Sequence, residues 1–441
     1  MTSLDALVTS ARTAQAAWAT ASRHARRQLL QAWIRHYREA AEPLADLITT
    51  ETAKPITLAR GEVARGIATL EATVEALGTF GEELVPYDLM AGAEGTRARL
   101  RRFPRGLAFA ITPFNFPVNL ALHKLAPALG AGCGVLWKPC PQAPRTSRRL
   151  LETFESARRE VGAPEGLLQV ADLPVAEAEA LALHPGVDVV SFTGSERVGH
   201  HLRGLLPHKS LLLELGGNAA VVVDTGVDLA AVARDLAPAA VAGGGQSCSK
   251  AQRIYVHQDG WEAFSAALVA AVKALPVGDP RDPATVVGPL IDEASAQRGE
   301  ARVASALARG ARALLSGPRQ GALLPPAILT GVPAEEPLAC EEAFAPLVVL
   351  EPVASFEEGL QRAAATRFGL RASAYSADQR HLRRAEEMLR AGGVLLNLPP
   401  TFRLDAAPFG GLGASGQGWE GPRWALEAFS EARLIVEGPA R

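Results

Sequence analysis

Residues 107–138 read LAFAITPFNFPVNLALHKLAPALGAGCGVLWK, and this stretch decides the fold. Leu107–Thr112 is a short apolar run without alternation, the pattern of a strand buried on both faces. Pro113 and Pro117 stiffen the turn that follows. Val118–Leu129 reads as a helix and Gly134–Lys138 as a second buried strand. The same rhythm continues outward. Thr146–Val161 is helical, and Leu167–Val170, Val187–Phe192 and Leu211–Leu215 are further strands with helices between them. Such alternation predicts an α/β chain with a doubly wound parallel sheet covered on both faces.

Upstream, Thr2 to Gly81 reads as helices, with apolar residues at three-to-four spacing such as Leu29, Leu30, Trp33, Ile34 and Tyr37. Thr96–Phe103 is basic and β-prone. Downstream, a second α/β series begins near Ala219, with Gly216-Gly217 as a hinge. Its strands are Ala219–Val223, Arg253–His257, Ala311–Ser316, Leu347–Val353, Ala372–Tyr375 and Val394–Asn397, and Trp261–Leu275 is a helix. Ala432–Glu437 is a terminal strand with no hairpin partner nearby, a pattern that suits pairing with another subunit.

Composition narrows the function classes. The 441 residues suffice for two to four domains. Lys plus Arg is 45 and Asp plus Glu 47, a net charge of −2, so no global polycationic pull toward nucleic acid exists. The chain is 48% apolar and 21% charged, which excludes wholesale disorder. Its four cysteines, Cys133, Cys140, Cys248 and Cys340, form no CxxC pair and no disulfide framework, so no metal is expected. The first residues lack a signal-peptide pattern, and no apolar run reaches membrane-spanning length. A cytoplasmic protein is expected. Only six cations are lysines (Lys54, Lys124, Lys138, Lys209, Lys250 and Lys273), so each is worth locating.

Several short stretches can carry chemistry. Gly243-Gly244-Gly245-Gln246-Ser247-Cys248 sets a thiol at the end of a glycine run, where backbone amides approach a ligand closely. Lys250 beside it is expected to lower the thiol pKa and favour a nucleophile, against a buried inert Cys as the alternative. Glu214 lies in the apolar strand Leu211–Leu215. Burial would raise its pKa and suit a general base, and the alternative is a carboxylate bonded to backbone amides. Asn115, within Pro113-Phe114-Asn115-Phe116-Pro117, either stabilises an oxyanion or caps a turn. Trp137-Lys138-Pro139 and Phe192-Thr193-Gly194-Ser195 both follow strand ends, where open α/β sheets bind ligands. A G-x-G-x-x-G fingerprint is absent after any strand.

Taken together, these motifs resemble the aldehyde dehydrogenase superfamily from about Gln15 to Val436. The remaining members of the set are Glu341-Glu342-Ala343-Phe344-Ala345-Pro346 and Pro408-Phe409-Gly410-Gly411 with Ser415-Gly416. Asn115 to Glu214 spans 99 residues and Glu214 to Cys248 spans 34, as is typical of the family. A closer resemblance is to the lactaldehyde, phosphonoacetaldehyde and non-phosphorylating glyceraldehyde-3-phosphate dehydrogenase-like branch. It rests on Lys54-Pro55-Ile56, Glu62-Val63-Ala64-Arg65, His123-Lys124-Leu125-Ala126-Pro127 and Gln252–His257.

The resemblance implies a Rossmann-type cofactor unit at 1–89 and 106–216, a catalytic unit at 217–408, and an oligomerisation arm at 90–105 and 432–441. It implies NAD(P)-dependent oxidation of a small aldehyde by a homodimer or homotetramer. Cys248 is the implied nucleophile, Glu214 the base and Asn115 the oxyanion donor, with Lys138 also in the site. The implied cofactor contacts are Thr112, Pro113, Phe114, Lys138, Gly194, Ser195, Leu215, Gly216, Glu342 and Phe344. Pro141 replaces a carboxylate that many members use on the adenosine ribose, which leaves both NAD and NADP open. Ala345, Gly413 and Trp419 also depart from the usual pattern. Arg403, the one cation in Asn397–Asp405, suits an anionic group on the substrate, and its alternative is an ion pair with Asp405. Three other readings stand beside this one: a cysteine hydrolase using His257, a CoA-acylating dehydrogenase, which usually lacks the Glu base, and a catalytically silent paralogue.

Overall fold

A computed structural model describes residues 3–439, so residues 1, 2, 440 and 441 of the expected unit boundaries lie outside the described residues. Four helices come first, Ser3–Ala19, Arg23–Glu39, Ala41–Thr52 and Ile56–Thr79. Leu29, Leu30, Trp33 and Tyr37 of the second helix are all buried, as their spacing requires. The Trp33 ring meets Phe154 edge-on at 5.1 Å, and its indole N–H donates to Thr153 Oγ1.

The quoted stretch forms the middle of a six-stranded sheet. Its strands run in the order Gly416–Gln417, Ser210–Glu214, Val189–Thr193, Leu107–Ile111, Gly134–Lys138 and Leu168–Val170. Only the short Gly416–Gln417 edge is antiparallel. A seven-stranded sheet follows. Its order is Arg312–Leu315, Ala327–Thr330, Leu347–Val353, Arg253–His257, Ala220–Val223, Arg371–Tyr375 and Gly393–Leu396. All its pairs are parallel except the first. Sequence patterning had left unassigned the strand Ala327–Thr330 and the helices Leu229–Val241, Glu293–Ala308 and Gln379–Met388. The first two of these helices are rich in Ala, and Gln379–Met388 is strongly charged, so none offers a wide apolar stripe.

The terminal strand corrects an expectation. Ser430–Glu437 is no orphan: it pairs antiparallel with Arg97–Pro104 of the same chain, Ser430 opposite Pro104 and Glu437 opposite Arg97. Glu83–Val85 completes this three-stranded sheet, and Ser430–Glu437 is its outer edge. More than 300 residues separate the partners, so no hairpin signal precedes the pairing. Just before it, Pro422–Ala428 packs against Asn119–Ala131, and Ala425, Leu426 and Phe429 enter the core of the first sheet.

Buried charges fix the turn that carries Asn115. Glu62 is buried, pairs with Lys54, and accepts from the backbone N–H groups of Val118 and Asn119 at 2.9 and 3.2 Å. It thereby caps the helix Asn119–Ala131, whose own N-cap residue, Val118, has no side-chain acceptor. Glu62→Ala is expected to strand Lys54 and both amides, lowering stability by about 3–5 kcal/mol. Denaturant unfolding at fixed protein concentration measures it, and a loss below about 1 kcal/mol would refute the capping role.

Candidate active site

The helix Leu229–Val241 runs into Gly243, Gly244 and Gly245, which have φ values of 61°, 69° and 65°. Three consecutive left-handed residues are accessible only to glycine at low cost. The run turns the chain so that Cys248 faces a cavity of about 640 Å³. Asn115, Arg65, Phe116, Arg403 and Phe409 line the same cavity. Close approach holds the other side, because a Cβ on Gly217 would lie 2.5 Å from the Cys248 carbonyl oxygen.

Asn115 is buried and donates Nδ2–H to the Gln246 carbonyl at 3.0 Å, which ties the Asn turn to the cysteine loop. It is not a helix cap: that task falls to Glu62. A primary amide has two N–H groups, so one remains for a ligand beside Cys248.

Glu214 ends its strand buried, and its Oε2 has no hydrogen-bond partner among the described residues. Burial, reinforced by the neighbouring Glu420 carboxylate, raises its pKa well above the usual carboxylate value. Glu420 in turn accepts from Lys124 Nζ at 2.5 Å, and Lys124 also donates to Ser191 Oγ at 3.0 Å. Burial works against ionised Glu420, yet Lys124 holds its pKa below the usual value. The two carboxylates therefore differ: Lys124 lowers the pKa of Glu420, while burial and Glu420 raise that of Glu214.

Lys250 does not do what its position in the sequence suggested. Its ammonium is buried and donates to the Leu347 carbonyl at 2.7 Å, and burial pulls its pKa down to about 7. Burial, then the Glu342 charge, instead pushes the Cys248 thiol up to about 12. The cations acting on Cys248 are Arg403 and Arg371. His257 offers no help to the thiol, since its Nδ1 accepts from the Asp259 amide.

Arg403 is not neutralised by Asp405. Its Nε lies 3.8 Å from Asp405 Oδ1, a loose contact. Asp405 is already filled by two hydrogen bonds from Arg65 at 2.9 and 2.8 Å, one from Asn119 Nδ2 at 3.0 Å and one from His123 at 3.0 Å. Burial opposes ionisation of Asp405, but His123 and Arg65 hold its carboxyl far below the usual range. Burial and Arg403 lower the His123 pKa to about 4, so the ring is neutral. Its Nε2 lies 3.0 Å from both Asp405 Oδ1 and Arg403 Nη2. Arg403 Nε is buried and has no partner among the described residues. One buried guanidinium is left with unused donors beside Cys248.

Of the remaining expected residues, only Phe114 lines this cavity. Phe114 meets Phe344 edge-on at 6.0 Å, and Phe344 has a φ of 48°. Glu342 Oε1 accepts from the Gly217 amide at 3.1 Å, and a Cβ on Gly216 would meet its Oε2 at 2.4 Å. Burial raises the Glu342 pKa to about 7. Ser195 precedes the helix Glu196–Leu205, and its hydroxyl makes no capping bond. Lys138 ends its strand, with Thr112 receiving the Trp137 indole N–H beside it at 2.9 Å.

A profile described as "Aldehyde dehydrogenase family" matches residues 2–435. The chain belongs to the aldehyde dehydrogenase family. It is accordingly an oxidoreductase acting on aldehydes. The 3-sulfolactaldehyde dehydrogenase of Priestia megaterium is 36% identical over 396 residues, 90% of this chain and 82% of that protein. The crystal structure of aldehyde dehydrogenase 21 from Physcomitrella patens, in complex with the reaction product succinate, superposes with a TM-score of 0.95 at 32% identity. That match covers 98% of this chain and 90% of the other. Glyceraldehyde-3-phosphate dehydrogenase GapN from Methanocaldococcus jannaschii, complexed with NADP, gives 0.94 at 31% identity, covering 99% and 94%.

Sequence reading quoted Lys54, Arg65, His123 and Lys124 as branch motifs but gave them no task, and it overlooked Glu420 and Arg371 altogether. The scarcity of lysine was the one usable signal: Lys124 and Lys250 are buried, and Lys54 nearly so, each with a fixed acceptor. With the thiol pKa near 12, alkylation of Cys248 by iodoacetamide in the cofactor-free protein is expected to quicken roughly tenfold per pH unit from pH 7 to 9. Cys248→Ser supplies the background from other thiols. A plateau below pH 8 would mean that the resting thiol is already acidic.

Proposed function

We propose that this aldehyde dehydrogenase oxidises short aldehydes bearing an anionic group to the corresponding acids, with NAD or NADP as cofactor. The observation that carries the reading is the Arg403 guanidinium, short of acceptors and sharing one cavity with Cys248 and Asn115. Relatives point the same way, since a sulfolactaldehyde, succinate and glyceraldehyde 3-phosphate all carry an anion.

The residues fit a dinucleotide. The amide donors of the helix that Ser195 precedes have no side-chain cap and can take phosphate oxygens, with Gly194 in the turn before them. Lys138 would reach a ribose hydroxyl or phosphate, and Thr112, Pro113, Leu215 and Gly216 would add backbone contacts. Glu342 and Phe344 would hold the nicotinamide end. When bound, NAD(P) supplies the acceptor for the hydride that leaves the substrate carbon, turning a hemithioacetal into a thioester.

The chain's own residues do the rest. Cys248 Sγ, as thiolate, bonds to the carbonyl carbon. The free N–H of Asn115 and the Cys248 amide receive the developing oxyanion. Glu214 takes a proton from the water that attacks the thioester, and the acid leaves as Cys248 is restored. Its raised pKa and unpartnered Oε2 suit a group that accepts and returns a proton. A CoA-acylating enzyme would have no use for such a base. The first sheet serves as the cofactor unit and the second as the catalytic unit. The exposed outer strand Ser430–Glu437, with Leu434 and Val436, supports a homodimer or homotetramer.

Glu214→Gln is expected to keep a stoichiometric burst of reduced cofactor while steady turnover falls about 10²-fold. Stopped-flow absorbance separates the two, and loss of the burst would assign Glu214 to an earlier step. Arg403→Ala is expected to lower kcat/KM for an anionic aldehyde by about 1.5–3 kcal/mol relative to a neutral one of equal length. Equal losses on both would make Arg403 structural.

A further inference from the structure

Arg371, whose charge acts on Cys248, has no role in substrate recognition as described so far, yet it is chemically unusual. It opens the strand Arg371–Tyr375, is partly buried, and makes no side-chain hydrogen bond or ion pair among the described residues. Its guanidinium carbon lies 4.6 Å from the centroid of the Phe409 ring. The Arg403 guanidinium carbon lies 3.9 Å from the same centroid. Phe409 thus carries two cations, neither bound tightly to a carboxylate.

Phe409 is well placed to pass position from one to the other. Its ring is buried, and its backbone is locked to Glu420 by a reciprocal pair of hydrogen bonds at 3.0 and 2.7 Å. Arg371 itself lines a second cavity of about 280 Å³, with Arg253, Arg367 and Arg390 and with no acidic residue in its wall. Arg253 and Arg367 are held there by other partners: Arg253 by Asn218 and backbone carbonyls, Arg367 by Glu196. Among the described residues, the Arg371 guanidinium packs on the Phe409 ring without a hydrogen-bonding partner.

We propose that Arg371 is a positioning residue for substrate recognition. It holds the Phe409 ring as the surface on which Arg403 lies, and it adds a second positive charge behind the aldehyde pocket. Like charges near one ring repel, so the pair is costly until an anion enters on the Arg403 side. That cost favours the anionic substrate over a neutral one. The inference rests on the reading of Arg403 as the substrate anchor.

Gly393 supplies a test that leaves Arg371 itself in place. A Cβ there would lie 1.7 Å from Arg371 Nη1, the far end of a flexible side chain, so Gly393→Ala must push the guanidinium off its position. Initial rates are measured with an ω-carboxylated aldehyde and a neutral aldehyde of equal length. The enzymes are the unmodified protein, Arg403→Ala, Arg371→Gln, Arg371→Lys and Gly393→Ala. The anionic-to-neutral ratio of kcat/KM is expected to fall about three- to tenfold in Arg371→Gln and in Gly393→Ala, through KM rather than kcat. Arg371→Lys should recover much of it, because charge and stacking persist. If the unmodified enzyme prefers the anion and Arg403→Ala removes the preference, an unchanged ratio in Arg371→Gln and Gly393→Ala overturns this inference alone. If the unmodified enzyme shows no preference, both readings fall. Equal losses on the two aldehydes, without rescue by lysine, would reduce Arg371 to a structural role.

Discussion

Asp405 is the contact on which the substrate side of the site depends. Its carboxylate, in the segment after the second sheet, gathers donors from two separate helices: Arg65 on Ile56–Thr79, and Asn119 and His123 on Asn119–Ala131. A buried carboxylate is tolerable only when its lone pairs are filled, and here at least four donors fill them. The consequence reaches past Asp405. Because Arg65, Asn119 and His123 satisfy it, Arg403 is left with only a loose contact to it at 3.8 Å. A polar network with every acceptor used on one member creates an unmet demand on the next.

A similar division separates the carboxylates around Cys248. Glu420 has Lys124 and stays ionised, while Glu214, beside it, has no cation in hydrogen-bond contact. Two acids close together in a dry site cannot both remain charged cheaply, so their pKa values diverge. The thiol follows the same logic, for burial and Glu342 keep it protonated in the resting protein. Burial thus works against the charged forms of Glu214 and Cys248 alike. Arg403 and Arg371 are the nearby positive charges that oppose this bias.

Glycines provide the second constraint. Cys248, Gly217 and Glu342 occupy nearly the same volume: Gly217 lies under the Cys248 carbonyl, and Glu342 grips the Gly217 amide and crowds the Gly216 Cα. What reads in the sequence as a flexible hinge is a clamped junction between two sheets. Any side chain there would separate the thiol loop from the carboxylate strand.

Sequence alone determined the elements whose apolar runs are short and bounded by Pro or Gly. Leu107–Ile111, Gly134–Lys138 and Arg253–His257 form as their patterns require, because a strand buried on both faces announces itself locally. It also determined the order and spacing of the motifs, which sufficed for the family. Tertiary structure decided what depends on distant partners. The last strand found Arg97–Pro104 across the whole chain. Lys250, one residue removed from being a neighbour of Cys248, turned to Leu347 instead, and Arg403 lost Asp405 to Arg65. Charge environments are sums over residues brought together by folding, so a pKa or an unpaired cation has no local signature in the chain.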